Sequence, residues 1–236
     1  MTLSRETNNE NDASSYGRHF DHWRAACTSQ WHAFTRHKFI LSLANGSLPR
    51  EKFIRYLRQD YIFLIQFARS WGRAASKGSD IREIKIATAM MHELVNSKML
   101  MHVELCNDEG ISEQKLFETK ETPATAAYLS HLETVGISGD FIDMMSVLSP
   151  SLLGYAEIGT YLATKISTPN YHRWVETYAS KTNQTLCHEI GTMIDDAIVA
   201  RLGKDAITTS RWQGLCDRFR ITTELEVGFF EMAMSR

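Results

Sequence analysis

Apolar side chains recur at every third or fourth position through most of the chain, and polar stretches with glycine, proline or asparagine separate these periodic segments. The spacing places the apolar side chains on one face of a helix, so it predicts an all-α protein. The predicted helices cover about residues 19–43, 49–77, 80–109, 123–135, 141–165, 169–178, 181–201 and 208–234. Their short connections predict a bundle of about seven or eight helices.

Several helix ends carry specific signals. Asn45-Gly46 is a typical left-handed stop, while Asp80 and Thr122-Pro123 are typical starts. Pro150 falls inside the predicted helix over 141–165. A proline there removes one backbone hydrogen bond and crowds the preceding turn, so a kink or break is expected.

Two carboxylates interrupt apolar helical faces. Asp60 shares its face with Phe53, Leu57, Leu64, Phe67 and Trp71, and Glu226 shares its own with Phe219, Thr222, Phe229 and Ala233. A buried acid needs a partner or loses its charge. One such aspartate alone would indicate an ion pair with an arginine or lysine of a neighbouring helix. Two acids on two such faces predict a small polar pocket inside the bundle.

Other polar groups fall on inward faces as well. They are Tyr128, Ser151, Tyr155 and Tyr178, with Phe63 one turn after Asp60. Each alone is compatible with an ordinary core position, a serine bonded back to its own helix or a tyrosine reaching the next one. Together with the two acids they suit a flat, nitrogen-rich ring, which stacks on aromatic faces and donates to carboxylates.

The charge and composition of the chain argue against several classes of protein. The net charge of −2 gives no long-range attraction to nucleic acid or to an anionic membrane surface, and no run of 18 apolar residues occurs. Residues 1–15 are polar and lack the apolar core of a secretory signal. We expect a flexible tail over 1–15, one domain over 16–236 and a cytoplasmic location. The four widely separated cysteines are expected to be buried thiols.

The sequence motifs indicate neither a metal site nor a cofactor-binding site. The nine histidines do not form the repeated Glu-x-x-His pattern of di-iron bundles, so we interpret them as solvated or capping residues. A metal-dependent oxidase is therefore the least favoured alternative. The chain also lacks the glycine-rich nucleotide motifs and the usual serine hydrolase motif. We expect no cofactor.

The stretch FIRYLRQDYIFLIQFARSWGRAASK resembles the signature of the TenA family, the thiaminase II or aminopyrimidine aminohydrolase proteins. The resemblance continues through HVELCNDEGIS, LSPSLLGYAEIG, YHRWVETYAS and TTELEVGFFEMA, and it spans about residues 19–234. It implies a heme-oxygenase-like helical fold, a tetramer of identical chains and no cofactor. The activity implied is hydrolytic salvage of thiamin-derived pyrimidines, which gives hydroxymethylpyrimidine.

The resemblance also implies roles for individual positions. Asp60 matches the acid that holds the aminopyrimidine edge, and Glu226 matches the glutamate that handles protons on the ring or the leaving group. The remaining matches are phenols around the catalytic centre, Tyr128 and Tyr178, and pocket-lining positions, Tyr155 and Phe63.

Two features depart from the family pattern. Ser151, after Pro150, stands where the family has its nucleophilic cysteine, and a hydroxyl needs a dedicated base. Lys98 stands where members carry a glutamate, and SKTNQ after Tyr178 is also unusual. Ser151 is compatible with an engineered trap, with carboxylate-driven hydrolysis without covalent attack, or with a protein that binds the pyrimidine without turnover. The further departures argue mildly against the engineered trap. We predict a hydrolase whose activity Ser151 alters or impairs, with the binding protein as the alternative.

Overall fold

The computed structural model of the protein describes residues 15–165 and 171–235. Within them the chain forms twelve α-helices: α1 (Arg18–Ala26), α2 (Thr28–Thr35), α3 (Lys38–Ala44), α4 (Arg50–Lys77), α5 (Ile81–Glu93), α6 (Met99–Asn107), α7 (Glu113–Phe117), α8 (Pro123–Ser138), α9 (Phe141–Ala163), α10 (His172–Ala179), α11 (Lys181–Leu202) and α12 (Ser210–Met234). A π-helical turn, Leu94–Lys98, joins α5 to α6, and a short 3-10 helix, Ala206–Thr208, precedes α12. No strand occurs in this part of the chain, which confirms the all-α prediction.

The predicted number of helices was wrong. Counting α5 and α6 as one continuous helix, the described residues contain eleven rather than seven or eight. The predicted helix over 19–43 is in fact α1, α2 and α3, divided at Cys27 and at Arg36-His37. His37 caps α3 by accepting a hydrogen bond from the Phe39 N–H. Histidine is not a favoured N-cap residue, so this boundary carries no sequence signal.

Several other predicted ends agree with the structure, but the end predicted at residue 135 was wrong, since α8 continues to Ser138, and the start predicted at residue 169 lies outside the described residues. Asp80 caps α5 and Thr122 caps α8 through side-chain hydrogen bonds, and Gly46 has the predicted left-handed backbone with φ of 73°. Of the kink or break expected at Pro150, the break does not occur, because α9 runs through this residue. Proline removes only one hydrogen bond, and α9 is packed on nearly all sides.

Helix α9 forms the centre of the bundle. Of its 23 residues, 20 are buried, and it contacts α2, α3, α4, α8, α10, α11 and α12. Close packing against α10 depends on Gly159, where an added Cβ would lie 2.6 Å from the Tyr178 Cβ and 2.7 Å from its carbonyl carbon. Helices α4, α9, α10 and α12 therefore bring residues distant in sequence to one region.

The described part of the chain has no helix that is both long enough and apolar enough to cross a membrane. The polar tail predicted over 1–15 lies, apart from Ser15, outside the described residues.

Candidate active site

A small cavity, here called the central cavity, lies between α4, α9, α10 and the π-helical turn. Ten residues line it. Six of them carry the polar and aromatic groups discussed below, namely Asp60, Phe63, Lys98, Ser151, Tyr155 and Tyr178; the other four are Leu64, Phe67, Leu94 and Leu152. The volume open to a water-sized sphere is about 20 Å³, enough for one or two waters. A six-membered ring would require the surrounding side chains to shift.

Asp60 is 4% exposed, and one of its oxygens is engaged by two partners. Its Oδ2 lies 2.6 Å from His102 Nε2 and accepts a hydrogen bond of 3.1 Å from the Tyr56 hydroxyl. Oδ1 accepts no hydrogen bond from residues 15–165 or 171–235. The partners of Asp60 are thus a histidine and a phenol. An arginine or lysine, as considered for a lone buried aspartate, does not pair with it in the described residues.

The contacts of His102 determine the net charge of the Asp60–His102 pair. It is fully buried, so interpreting it as a solvated or capping histidine was wrong. Its Nδ1 lies 2.8 Å from the Lys98 carbonyl oxygen, which can only accept, so Nδ1 carries a hydrogen. If Nε2 also carries one, an imidazolium faces a carboxylate; if not, Asp60 holds the shared proton. Either way the pair has no net charge.

Glu226 and Tyr128 lie behind Ser151 and do not line the central cavity. The Tyr128 hydroxyl donates to Glu226 Oε1 at 2.7 Å, and the Ser151 side chain lies close to both residues. Burial raises the pKa of Glu226 to about 8, and the nearby Asp60 adds to the rise. Glu226 is therefore mostly protonated at neutral pH, and Ser151 connects it to the central cavity.

Four phenols surround these acids: Tyr56, Tyr128, Tyr155 and Tyr178. Burial, assisted by the nearby carboxyl groups, raises the pKa of each phenol well above its usual value. They remain protonated near neutral pH, and the hydroxyls of Tyr56 and Tyr128 donate to Asp60 and Glu226. The rings also pack together, with centroids 5.2 Å apart for Tyr155 and Tyr178 and 4.8 Å apart for Phe63 and Tyr128.

The structure brings Asp60, Phe63, Ser151, Tyr155 and Tyr178 to one cavity, and it places Tyr128 and Glu226 one layer behind. Sequence reasoning missed Tyr56 and His102. Tyr56 lies one turn before Asp60, and His102 lies in the apolar run of α6, so a polar residue on a buried face was the available signal. In the described residues no three His, Cys, Asp or Glu side chains are arranged to hold a metal ion.

Comparison with known proteins gives a match over most of the chain. Residues 24–236 match the model of the TENA/THI-4/PQQC family. The aminopyrimidine aminohydrolase of Halalkalibacterium halodurans is 28% identical to this chain, over 86% of this chain and 89% of the relative.

Solved structures share the fold. A TenA family transcription regulator from Silicibacter sp. TM1040 is 39% identical, with a TM-score of 0.91 and coverage of 94% of this chain and 98% of that one. A domain of unknown function with a heme oxygenase-like fold from Shewanella denitrificans has a TM-score of 0.69 at 13% identity, covering 91% of each chain. The described residues thus have the heme-oxygenase-like helical fold.

Proposed function

The chain belongs to the TENA/THI-4/PQQC family, and from this premise we propose that it is a thiaminase II type aminopyrimidine aminohydrolase. The proposed reaction hydrolyses thiamin-derived aminopyrimidines to hydroxymethylpyrimidine. The observation that carries the proposal is the Oδ1 of Asp60, which accepts no hydrogen bond from the described residues and lies at an aromatic cavity next to Ser151. Relatives named aminopyrimidine aminohydrolase support the same substrate class.

Asp60 binds the substrate in this proposal. Its free Oδ1 accepts from the exocyclic amine of the pyrimidine, while His102 and Tyr56 hold Oδ2 and so fix the plane of the carboxyl group. Phe63, Tyr155 and Tyr178 offer aromatic faces for the ring. The ring enters as these side chains move apart.

Ser151 and Glu226 carry the chemistry. The ionised fraction of Glu226 takes the Ser151 proton, because the phenols are too weakly acidic to supply a base near neutral pH. The Ser151 oxygen adds to the ring carbon beside the one that bears the aminomethyl group. Glu226 returns the proton to the departing amine as its C–N bond breaks. Water then adds to the methylene carbon as a hydroxyl group. The bond between the Ser151 oxygen and the ring breaks, and this oxygen takes the proton that the water releases.

An ammonia-release assay on the aminomethyl pyrimidine tests this function with the wild type, Ser151→Cys and Ser151→Ala. A thiol is partly ionised near neutral pH and is the better nucleophile, so Ser151→Cys is expected to raise kcat by about 100-fold or more. Ser151→Ala should lose the wild-type rate.

The other outcomes separate the alternatives. Equal rates in the wild type and Ser151→Ala would exclude serine attack and favour a carboxylate-driven hydrolysis. If all three proteins bind hydroxymethylpyrimidine in calorimetry and none releases ammonia, the protein binds the pyrimidine ring without turning over the aminomethyl compound. Absence of pyrimidine binding would overturn the proposed function.

We also propose a homotetramer built from a single domain over residues 16–236. The exposed apolar side chains Ile81, Ile84, Met91, Val95 and Leu100 along α5, the π-helical turn and α6 support an interface. A cytoplasmic location is supported by the four cysteines, which are all free and buried.

A further inference from the structure

Lys98 places an amine in the wall of the central cavity. It ends the π-helical turn and is only 3% exposed, among the apolar residues Leu94 and Met101 of the same continuous helix. Its Nζ lies 5.0 Å from the centroid of the Tyr178 ring. π-helical turns are rare and recur at functional sites, because they change the direction of the side chains that follow.

No carboxylate in residues 15–165 or 171–235 forms an ion pair with Lys98. Asp60, which also lines the cavity, is paired with His102, and that pair has no net charge. Glu93 acts on Lys98 only at longer range, and its carboxylate accepts from the Ser97 hydroxyl. The adjacent Cys187 is a buried thiol. Glu226, behind Ser151, is mostly protonated near neutral pH.

An ammonium in such surroundings lacks the counter-charge that normally accompanies burial. Burial accordingly lowers the pKa of Lys98. A bound oxyanion would supply the missing partner, whereas a bound cation would add repulsion in a medium of low polarity.

We propose that Lys98 determines the specificity of the central cavity and selects a pyrimidine that carries an oxyanion, a carboxylate or a phosphate, over one with a cationic substituent. This inference rests on the proposed function, since it names the substrate class of the same site. The free aminomethyl pyrimidine and thiamin are both cationic at neutral pH. The preferred substrate is instead one in which the leaving amine or another ring substituent bears an acidic group.

Calorimetric titration with matched pyrimidines tests this selection. The ligands are the hydroxymethyl, aminomethyl and carboxymethyl pyrimidines and the phosphate ester of the hydroxymethyl compound, which share one ring and differ in charge. The wild type is expected to bind an anionic ligand at least about tenfold more tightly than the hydroxymethyl one, as for a charge-assisted hydrogen bond. The tighter of the two anions identifies the acid.

Variants connect this preference to one residue. Lys98→Met keeps the length and burial of the side chain and should abolish the preference for the anionic ligands over the hydroxymethyl one. Lys98→Glu should reverse the preference toward the aminomethyl ligand. Lys85→Met, at an exposed position of α5, is the control and should behave as the wild type. Thermal unfolding verifies that each variant is folded.

Two results would overturn the inference alone. One is a wild type that binds the hydroxymethyl ligand with no preference for anions. The other is a folded Lys98→Met variant that retains the wild-type preference. A wild type that binds none of the four ligands would overturn the proposed function together with this inference.

Discussion

Glu226 shows how burial can prepare a carboxyl group for proton transfer. No cation lies next to it in the described residues; its contacts are the hydroxyls of Tyr128 and Ser151. The loss of hydration raises its pKa to about 8, and the hydroxyl contacts only partly oppose this. A carboxyl group with a pKa near the working pH exchanges a proton in either direction at little cost.

The same shift makes the stability of the fold depend on pH. The pKa of Glu226 is raised from 4.5 to about 8 on folding, so between these values the folded state holds a proton that the unfolded state releases. Its stabilising contribution is complete below pH 4.5 and is lost as the pH rises through 8. Glu226→Gln should remove this loss, with a relative gain of about 1.4 kcal/mol per pH unit in that window.

Urea denaturation of the wild type and Glu226→Gln between pH 5 and pH 8.5 (roughly the span of the titration) measures this difference. Glu224→Gln, on the exposed face of the same helix, controls for the removal of one carboxylate from α12. Parallel pH profiles for the wild type and Glu226→Gln would show that Glu226 ionises normally in the folded protein.

At the residue scale, the sequence was most informative where polarity contradicted the helical pattern. Asp60 and Glu226 stand out because an acid on an apolar face is costly without a partner. The identity of the partners could not be predicted, because His102 meets Asp60 across 42 positions of sequence. Only the packing of α6 against α4 brings them together.

At the element scale, α10 depends on a glycine of α9 for its position. Gly159 lets the Tyr178 backbone approach so closely that any side chain there would overlap it. Tyr178 in turn forms one wall of the central cavity. The position of one helix therefore determines the shape of the proposed binding site.

Gly159→Ala is expected to lower the free energy of unfolding by about 1 to 3 kcal/mol, because the methyl group would force α10 away from α9. The matched control is Gly228→Ala in α12, where an added Cβ meets nothing within 4 Å. This change should stabilise the helix by about 0.5 to 1 kcal/mol. Urea denaturation of both variants measures the contrast, and equal effects would contradict the proposed packing constraint.

Helix boundaries with glycine, proline or a short polar cap followed from the sequence, as at Gly46, Asp80 and Thr122. The boundaries at Cys27 and His37 did not, since neither residue belongs to the usual set of breakers and caps. At Pro150 the helix does not break, although the sequence made a break one of the two expected outcomes. The strong local preference of proline is outweighed by the contacts of a helix that is buried along most of its length.

At the scale of the whole molecule, the helical class and the family were accessible from periodicity and motif order, because both are distributed over most of the chain. The proposed interface was not, since the exposed apolar residues of α5 and α6 look like core positions in the sequence. Their exposure becomes evident only when the helix is packed. Met91 and Val95 are 39% and 43% exposed, one turn apart on that outer face.

Light scattering of the purified protein is expected to give the mass of four chains. The double change Met91→Lys and Val95→Lys should shift it to smaller species, because charges on a buried apolar interface are costly. Ile137→Lys, at an isolated apolar side chain of α8 that is 73% exposed, is the control and should leave the assembly intact. A monomeric wild type would contradict the proposed tetramer.

The four buried cysteines have a practical consequence. Burial raises the pKa of each to about 11, so scarcely any thiolate exists near neutral pH and the folded protein should be inert to alkylating reagents. A sulfur introduced at position 151 would differ from these four because it would border the central cavity, with Glu226 close by to take its proton. The rate at which it is alkylated would report directly whether that cavity is filled.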